Sequence, residues 1–216
     1  MIKINVNKIV RYLLVSDFVF YSGWGLILPV FAVYIIEHIK GGNIMAVGIA
    51  EAIFLIVNSF LRVFCGMFLD GQPNEKSDYV FMVAGLFFAS LVPFGYMVAT
   101  NIWHIYLLEA ARAAGLAMSS SGWSAIFTRH IDKGREGTEW GISAMSVGIG
   151  AGISGIIGGW AITRFGFDPV FIVVGVAGIA GSLALLAIRN DFEKFMGHGL
   201  YFSFKELAQK SNEQQL

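Results

Sequence analysis

Apolar residues along this chain form long unbroken stretches, punctuated by short polar segments, instead of alternating with polar positions. Six stretches match the roughly 20 residues of helix needed to cross a hydrocarbon core of about 30 Å: 12–36, 44–65, 79–99, 102–127, 140–162 and 169–188. Lipid offers the backbone no hydrogen-bond partner, so runs of this length predict helices, which satisfy their own N–H and C=O groups. The expected architecture is an all-α membrane protein with six transmembrane helices, preceded by residues 1–11 and followed by a polar tail, 189–216. Connections such as Asp70-Gly-Gln-Pro-Asn-Glu-Lys-Ser-Asp78 are too short to hold a soluble ATPase or sensor domain. The first span contains Asp17 and Pro29 and lacks an Ala-x-Ala cleavage site, so it reads as a span and not as a signal peptide.

Composition supports the membrane reading: 56% of residues are hydrophobic, 14% are charged and 26 are glycine. Basic and acidic residues balance at 15 each, without the cationic excess that neutralises phosphates, so no nucleic-acid partner is expected. The single Cys65 excludes an intramolecular disulfide or a cysteine metal cluster, and no cofactor or metal site is read.

Orientation follows from the basic residues, which short cytoplasmic loops retain. With the N-terminus inside, the inner segments hold Lys3, Lys8, Arg11, Lys76, Arg129, Lys133, Arg135, Arg189, Lys194, Lys205 and Lys210, and the outer ones only Lys40 and Arg164. Both termini are therefore expected in the cytoplasm, and the cell inner (plasma) membrane is the expected location. Trp103 and Trp160 then fall at the outer surface and Trp140 at the inner one, as an aromatic belt requires. Trp24 falls mid-span, as core packing or as a cavity wall. The tail beyond Arg189 mixes Phe192, Phe195, Tyr201 and Phe202 with charges, as a surface-lying amphipathic segment or a ragged end.

Five ionisable residues lie inside the spans: Asp17, Glu51, Arg62, Glu109 and Arg112. Each costs about 2.5–3.5 kcal/mol near mid-bilayer, so each should face a cavity or a partner. Glu109 and Arg112 are three apart on one helix face, which makes an intrahelical pair natural. Alternatively, Arg112 holds an anionic substrate or tunes a proton-binding carboxylate. Arg62 stands about three residues from the inner end of its span, within snorkelling reach. Asp17, Tyr21, Trp24, Glu51, Glu109 and Arg112 are the candidate cavity or ion-coupling residues.

In the fifth span small residues recur every four positions in three rows: Ala144/Gly148/Gly152, Gly150/Ser154/Gly158 and Ala151/Gly155/Gly159. This spacing lets another helix backbone approach closely, and Gly148, Gly152, Gly155 and Gly159 are the candidate packing residues. Gly152-Ile-Ser154-Gly155 also matches the GxSG signature of rhomboid intramembrane proteases. That chemistry needs a histidine base beside the serine, and the sixth span has no histidine, so a non-enzyme is expected.

With these features in order, residues 7–188 resemble the N-terminal six-helix half of a major facilitator superfamily transporter. The resemblance rests on Ser16-Asp17-Phe18 followed by Gly23-Trp-Gly25 and Pro29, and on Gly66-Met-Phe-Leu-Asp70, which is similar to the start of the family's G-x-x-x-D loop. It also rests on Arg112, at the place of a fourth-span arginine, and on Ser154-Gly155-Ile-Ile-Gly158-Gly159, which looks like a fifth-span G-P-x-x-G-G motif without its proline. The basic residues that follow the family's loop aspartate are replaced by Gly71-Gln-Pro-Asn-Glu75, a departure at the candidate cytoplasmic gating loop of Gly66 and Asp70.

The resemblance implies a secondary transporter, as a half-size member or as the first half of a split or truncated one, that moves a small solute by alternating access in the lipid bilayer, with a proton as a candidate coupling ion. The family's full chain has two such halves around the substrate site. A parallel homodimer, or pairing with a second six-span half, is therefore expected. Its interface would bring Gly152 and Gly155 of the fifth span against the partner's second span, with Gly178 on an outer helix. The alternative is a six-span pore or assembly subunit, which would call for a filter repeat or ring-forming polar row; neither is seen.

Overall fold

The computed structural model describes residues 7–72 and 75–186, all of it helical apart from turns and one isolated bridge. Helix α1 spans Lys8–Gly25, a 3-10 turn Leu28–Val30 leads into α2 at Phe31–His38, and α3 runs Ile44–Asp70. They are followed by α4 Glu75–Val98, α5 Ile102–His130, α6 Glu136–Phe165 and α7 Phe167–Leu186. Residues 189–216, with the candidate amphipathic tail, lie outside the described residues, as does the end of the sixth predicted span.

Helix boundaries follow local chemistry. Asn7, Asn43 and Asn101 each cap a helix start, their side-chain oxygens accepting from the backbone N–H of Ile9, Ala46 and Trp103 at 3.1, 2.9 and 3.1 Å. The single span expected over 12–36 is broken. Pro29 brings no N–H, and the amides of Leu26 and Ile27 turn back to Gly23 and Trp24 in 3-10 fashion. Gly166, at φ 80°, closes α6 by donating its N–H to Ile162.

Two expected boundaries need correction. α3 continues past residue 65 to Asp70, which puts Gly66 and Asp70 on its last turns and not in a loop. Arg62 consequently sits about two turns inside the helix end, deeper than expected. α6 likewise starts at Glu136, ahead of residue 140. A count of about 20 apolar residues closes a span by length, and these helices run on beyond that length.

Among the described residues, five helical stretches are long and apolar enough to cross a membrane, with α1 and α2 counted together. The remaining one, α5, is about 43 Å long at 1.5 Å per residue but too polar to meet that measure. It buries Glu109, Arg112, Ser119 and Ser121 among its neighbours.

α4 packs on α5 and α7, α7 on α1, α3 on α5, and α6 on α1, while α1 and α5 meet over a shorter stretch. The helices thus form a front row, α3–α5–α1–α6, with α4 and α7 behind it. Glycine sets the closest approaches: a Cβ on Gly122 would stand 2.2 Å from the Asp78 carbonyl, and one on Gly158 1.9 Å from the Leu26 carbonyl. The core between the rows is aromatic at one end, where Tyr34, Tyr96 and Phe171 meet with ring centroids 4.9–5.5 Å apart. At the other end Trp123 stacks on Phe127 at 4.5 Å.

Placement of the fifth-span glycines differs from row to row. Gly150 and Gly158 lie buried against α1, and Gly155 stands 3.2 Å from Pro29 of the same chain by its Cβ position. Gly148, Gly152 and Gly159 face open space. Gly178, expected on the outer sixth span, lies on α7 in the back row, where its Cβ position meets Ser90 at the α4–α7 contact.

Candidate functional site

α1, α3 and α5 carry all five ionisable residues of the spans, and the back helices carry none over 79–98 and 169–186. The centre of the front row is built on α5. Glu109 and Arg112, 1% and 7% exposed, form a salt bridge in which Arg112 Nε donates to Glu109 Oε2 at 2.9 Å and Nη2 reaches the same oxygen. The other carboxylate oxygen accepts from Tyr96 Oη of α4 at 2.5 Å, and Tyr96's own carbonyl accepts from Tyr34 Oη at the same distance. Both oxygens of Glu109 are thus satisfied inside the fold, as a buried charge requires.

Arg112 is held on its faces as well. Its guanidinium carbon lies 3.6 Å from the centroid of Phe54 on α3 and 4.7 Å from that of Trp24 on α1. Trp24, 8% exposed, therefore packs in the core and at the same time forms one wall around the arginine. One side chain joins three front helices: α5 by the ion pair, α3 and α1 by the rings. Such contacts contribute about 0.5–2 kcal/mol each when desolvated.

The other candidates are placed differently. Glu51 is exposed on α3, one turn before Phe54, and forms no ion pair among the described residues. Asp17 is half-buried on α1, and Tyr21, one turn on, lies within electrostatic reach of both Asp17 and Arg62 of α3. Arg62 Nη2 donates to Ser124 Oγ of α5 at 3.1 Å, and Asn58 Nδ2 of α3 donates to the Ala113 carbonyl of α5, also at 3.1 Å. Asp17 and Glu51 are thus not brought into the Glu109–Arg112 pair.

Toward the expected cytoplasmic end, an open groove of about 410 Å³ lies between α3 and α5, lined by Arg62, Gly66, Asp70, Ser121, Ser124, Thr128 and Arg129 among others. No basic partner for Asp70 is found among the described residues. Instead Arg129, at the end of α5, pairs with Asp78 and, at 3.9 Å, with Glu75 at the start of α4. His130 Nε2 is 3.7 Å from Glu75, and Asn7 Nδ2 donates to the His130 carbonyl at 3.3 Å. This cluster joins the start of α1, the start of α4 and the end of α5.

The sequence profile of the Major Facilitator Superfamily matches residues 13–194, most of the chain. The chain belongs to the major facilitator superfamily. Superfamily membership indicates a multi-pass membrane transporter of the major facilitator type, which fits the expectation of a non-enzyme. None of the curated proteins compared with the chain matches it.

Several site residues of this superfamily member carried no sequence signal. Phe54 lies in an apolar run where any large side chain reads alike, and Tyr96 is one aromatic among many on α4. Arg129 and Asp78 were legible only as loop-end charges. Their pairing depends on α4 and α5 ending level with each other, which spacing along the chain does not encode.

Proposed function

We propose that the chain supplies a six-span half, α5 being its fourth span despite its polarity, with both termini cytoplasmic in the cell inner (plasma) membrane. We further propose that it works as a secondary transporter by alternating access. The observation that carries this reading is the segregation of every intramembrane charge onto α1, α3 and α5, in a row with no second layer in front of it among the described residues. A charge facing lipid is costly, whereas a row of charges facing a second six-span unit encloses a polar cavity.

In this reading Tyr21, Trp24 and Phe54 form the cavity wall, and Asp17 is the candidate coupling carboxylate, with a proton as the coupling ion. The Glu109–Arg112 pair ties the three lining helices so that they move as one body. The facing unit is a second copy of the chain, related by a twofold axis along the membrane normal, or another six-span half. The open glycines Gly148 and Gly152 on α6 support a helix docking there.

Counterflow in proteoliposomes tests the proposal with a panel of labelled sugars, carboxylates and amphipathic cations. Saturable uptake stimulated by unlabelled solute on the far side is expected for at least one class. Flux that rises linearly without saturation, at channel-like rates, would reject it in favour of a pore.

A further inference from the structure

Among the three arginines at or near the α3–α5 face, Arg62 alone is left without a carboxylate. Arg112 is neutralised by Glu109, and Arg129 by Asp78 and Glu75. No carboxylate pairs with Arg62 among the described residues, and the one hydrogen bond its side chain makes there is donated to the neutral hydroxyl of Ser124. Asp70, the acid that lines the same groove, is eight residues along α3, about 12 Å down the helix axis. Asp17 faces Tyr21 on α1 and makes no ion pair with Arg62. A guanidinium presents five N–H donors in a fork that matches a planar or tetrahedral oxyanion, and here only one donor has a protein acceptor.

The surroundings of Arg62 leave an open groove beside the guanidinium. Ser121 Oγ donates to the Arg62 carbonyl at 3.1 Å, which fixes this turn of α3 against α5. A Cβ on Gly66, one turn further on, would meet nothing within 4 Å, so the floor of the groove stays open. Ser124 and Thr128, one turn apart on α5, line the opposite wall with hydroxyl groups. At about 410 Å³ the groove falls in the lower part of the range for small-molecule sites.

We propose that this groove is an oxyanion site in which Arg62 binds a carboxylate or phosphate group with the help of the Ser124 and Thr128 hydroxyls. The proposal rests on the transport reading in one respect: it makes the solute an anion. The same chemistry is offered by a soluble anion and by the headgroup of an anionic lipid.

The test uses the full chain in nanodiscs of phosphatidylcholine, titrated with inorganic phosphate, succinate and, as the uncharged control, succinamide at constant ionic strength. Tryptophan fluorescence and melting temperature are the readouts. A saturable response to phosphate or succinate is expected, with none to succinamide. Arg62→Gln should weaken it about tenfold or more, the equivalent of about 1.4 kcal/mol for a lost charge-assisted contact, without changing the ligand-free melting temperature.

A second arm adds phosphatidylglycerol to the discs. Stabilisation by this lipid that Arg62→Gln abolishes would support the site and assign it to a headgroup. Should Arg62→Gln fail to fold, Gly66→Leu, which fills the groove and keeps the charge, must give the same loss of binding. Equal responses of the wild type and both variants to every anion and to phosphatidylglycerol would overturn the proposal. Arg62-dependent binding without counterflow of any solute would strike the transport reading alone.

Discussion

Replacing Arg112 by Met keeps most of the side-chain volume between Phe54 and Trp24 but removes the partner of a carboxylate that is 1% exposed. Glu109 is then left with the single hydrogen bond from Tyr96 Oη. Breaking a buried pair from one side costs about 3–5 kcal/mol, because the orphaned charge keeps its desolvation penalty. Glu109→Gln should be milder, since the guanidinium retains two ring faces and the Gln carbonyl can still accept from Tyr96. The double variant, Glu109→Gln with Arg112→Met, removes both charges and should recover to within about 2 kcal/mol of the wild type, as apolar replacement of a buried pair often does. Reversible unfolding in mixed micelles, followed by tryptophan fluorescence over the four variants, measures the coupling. Near-zero coupling, or an Arg112→Met protein within about 0.5 kcal/mol of the wild type, would refute the reasoning that this pair joins the lining helices.

Other substitutions separate packing from assembly. Gly158→Ala should destabilise the fold by about 1–3 kcal/mol or more in micelle unfolding, because its methyl would overlap the Leu26 carbonyl. Gly152→Leu should leave the melting temperature unchanged while lowering the dimer fraction counted by single-molecule photobleaching in bilayers, since Gly152 meets nothing within 4 Å inside the chain. Tyr96→Phe strips one acceptor contact from Glu109 Oε1 and should cost about 1–3 kcal/mol by the same unfolding assay. Arg129→Ala removes the pairing of Asp78, whose side chain is 1% exposed; hydrogen exchange at the start of α4 should rise, and unchanged exchange would argue against the cluster as a clamp.

Sequence periodicity reached the fold class because unbroken apolar runs have one stable solution in lipid. It reached the Glu109–Arg112 pair because a spacing of three puts both on one face of α5. It could not choose among the three small-residue rows of α6. A helix with glycine on several sides has no preferred face, and only the approach of α1 distinguishes Gly150 and Gly158 from Gly148 and Gly152. The break in the first span was signalled by Pro29, yet hydropathy averages over it. Gly66 and Asp70 were read as a loop because a run of span length is already complete at Cys65, while the helix continues through the still apolar Met67, Phe68 and Leu69. Phe54 became a site residue only when α3 was laid on α5.

The central claim is that the front row α3–α5–α1–α6 lines a solvent path and that α4 and α7 face away from it. Because Cys65 is the only cysteine in the chain, single cysteines can be placed on a Cys65→Ala background at Tyr21, Ser59 and Gly152 in the front row, and at Phe88 and Val173 behind. Their reaction with a membrane-impermeant maleimide in right-side-out and inverted vesicles tests the arrangement directly. The account predicts that front positions label from at least one side, with Tyr21 labelling from both, while Phe88 and Val173 stay unreactive from either. Equal labelling of front and back positions, or none at Tyr21 and Ser59, would contradict it.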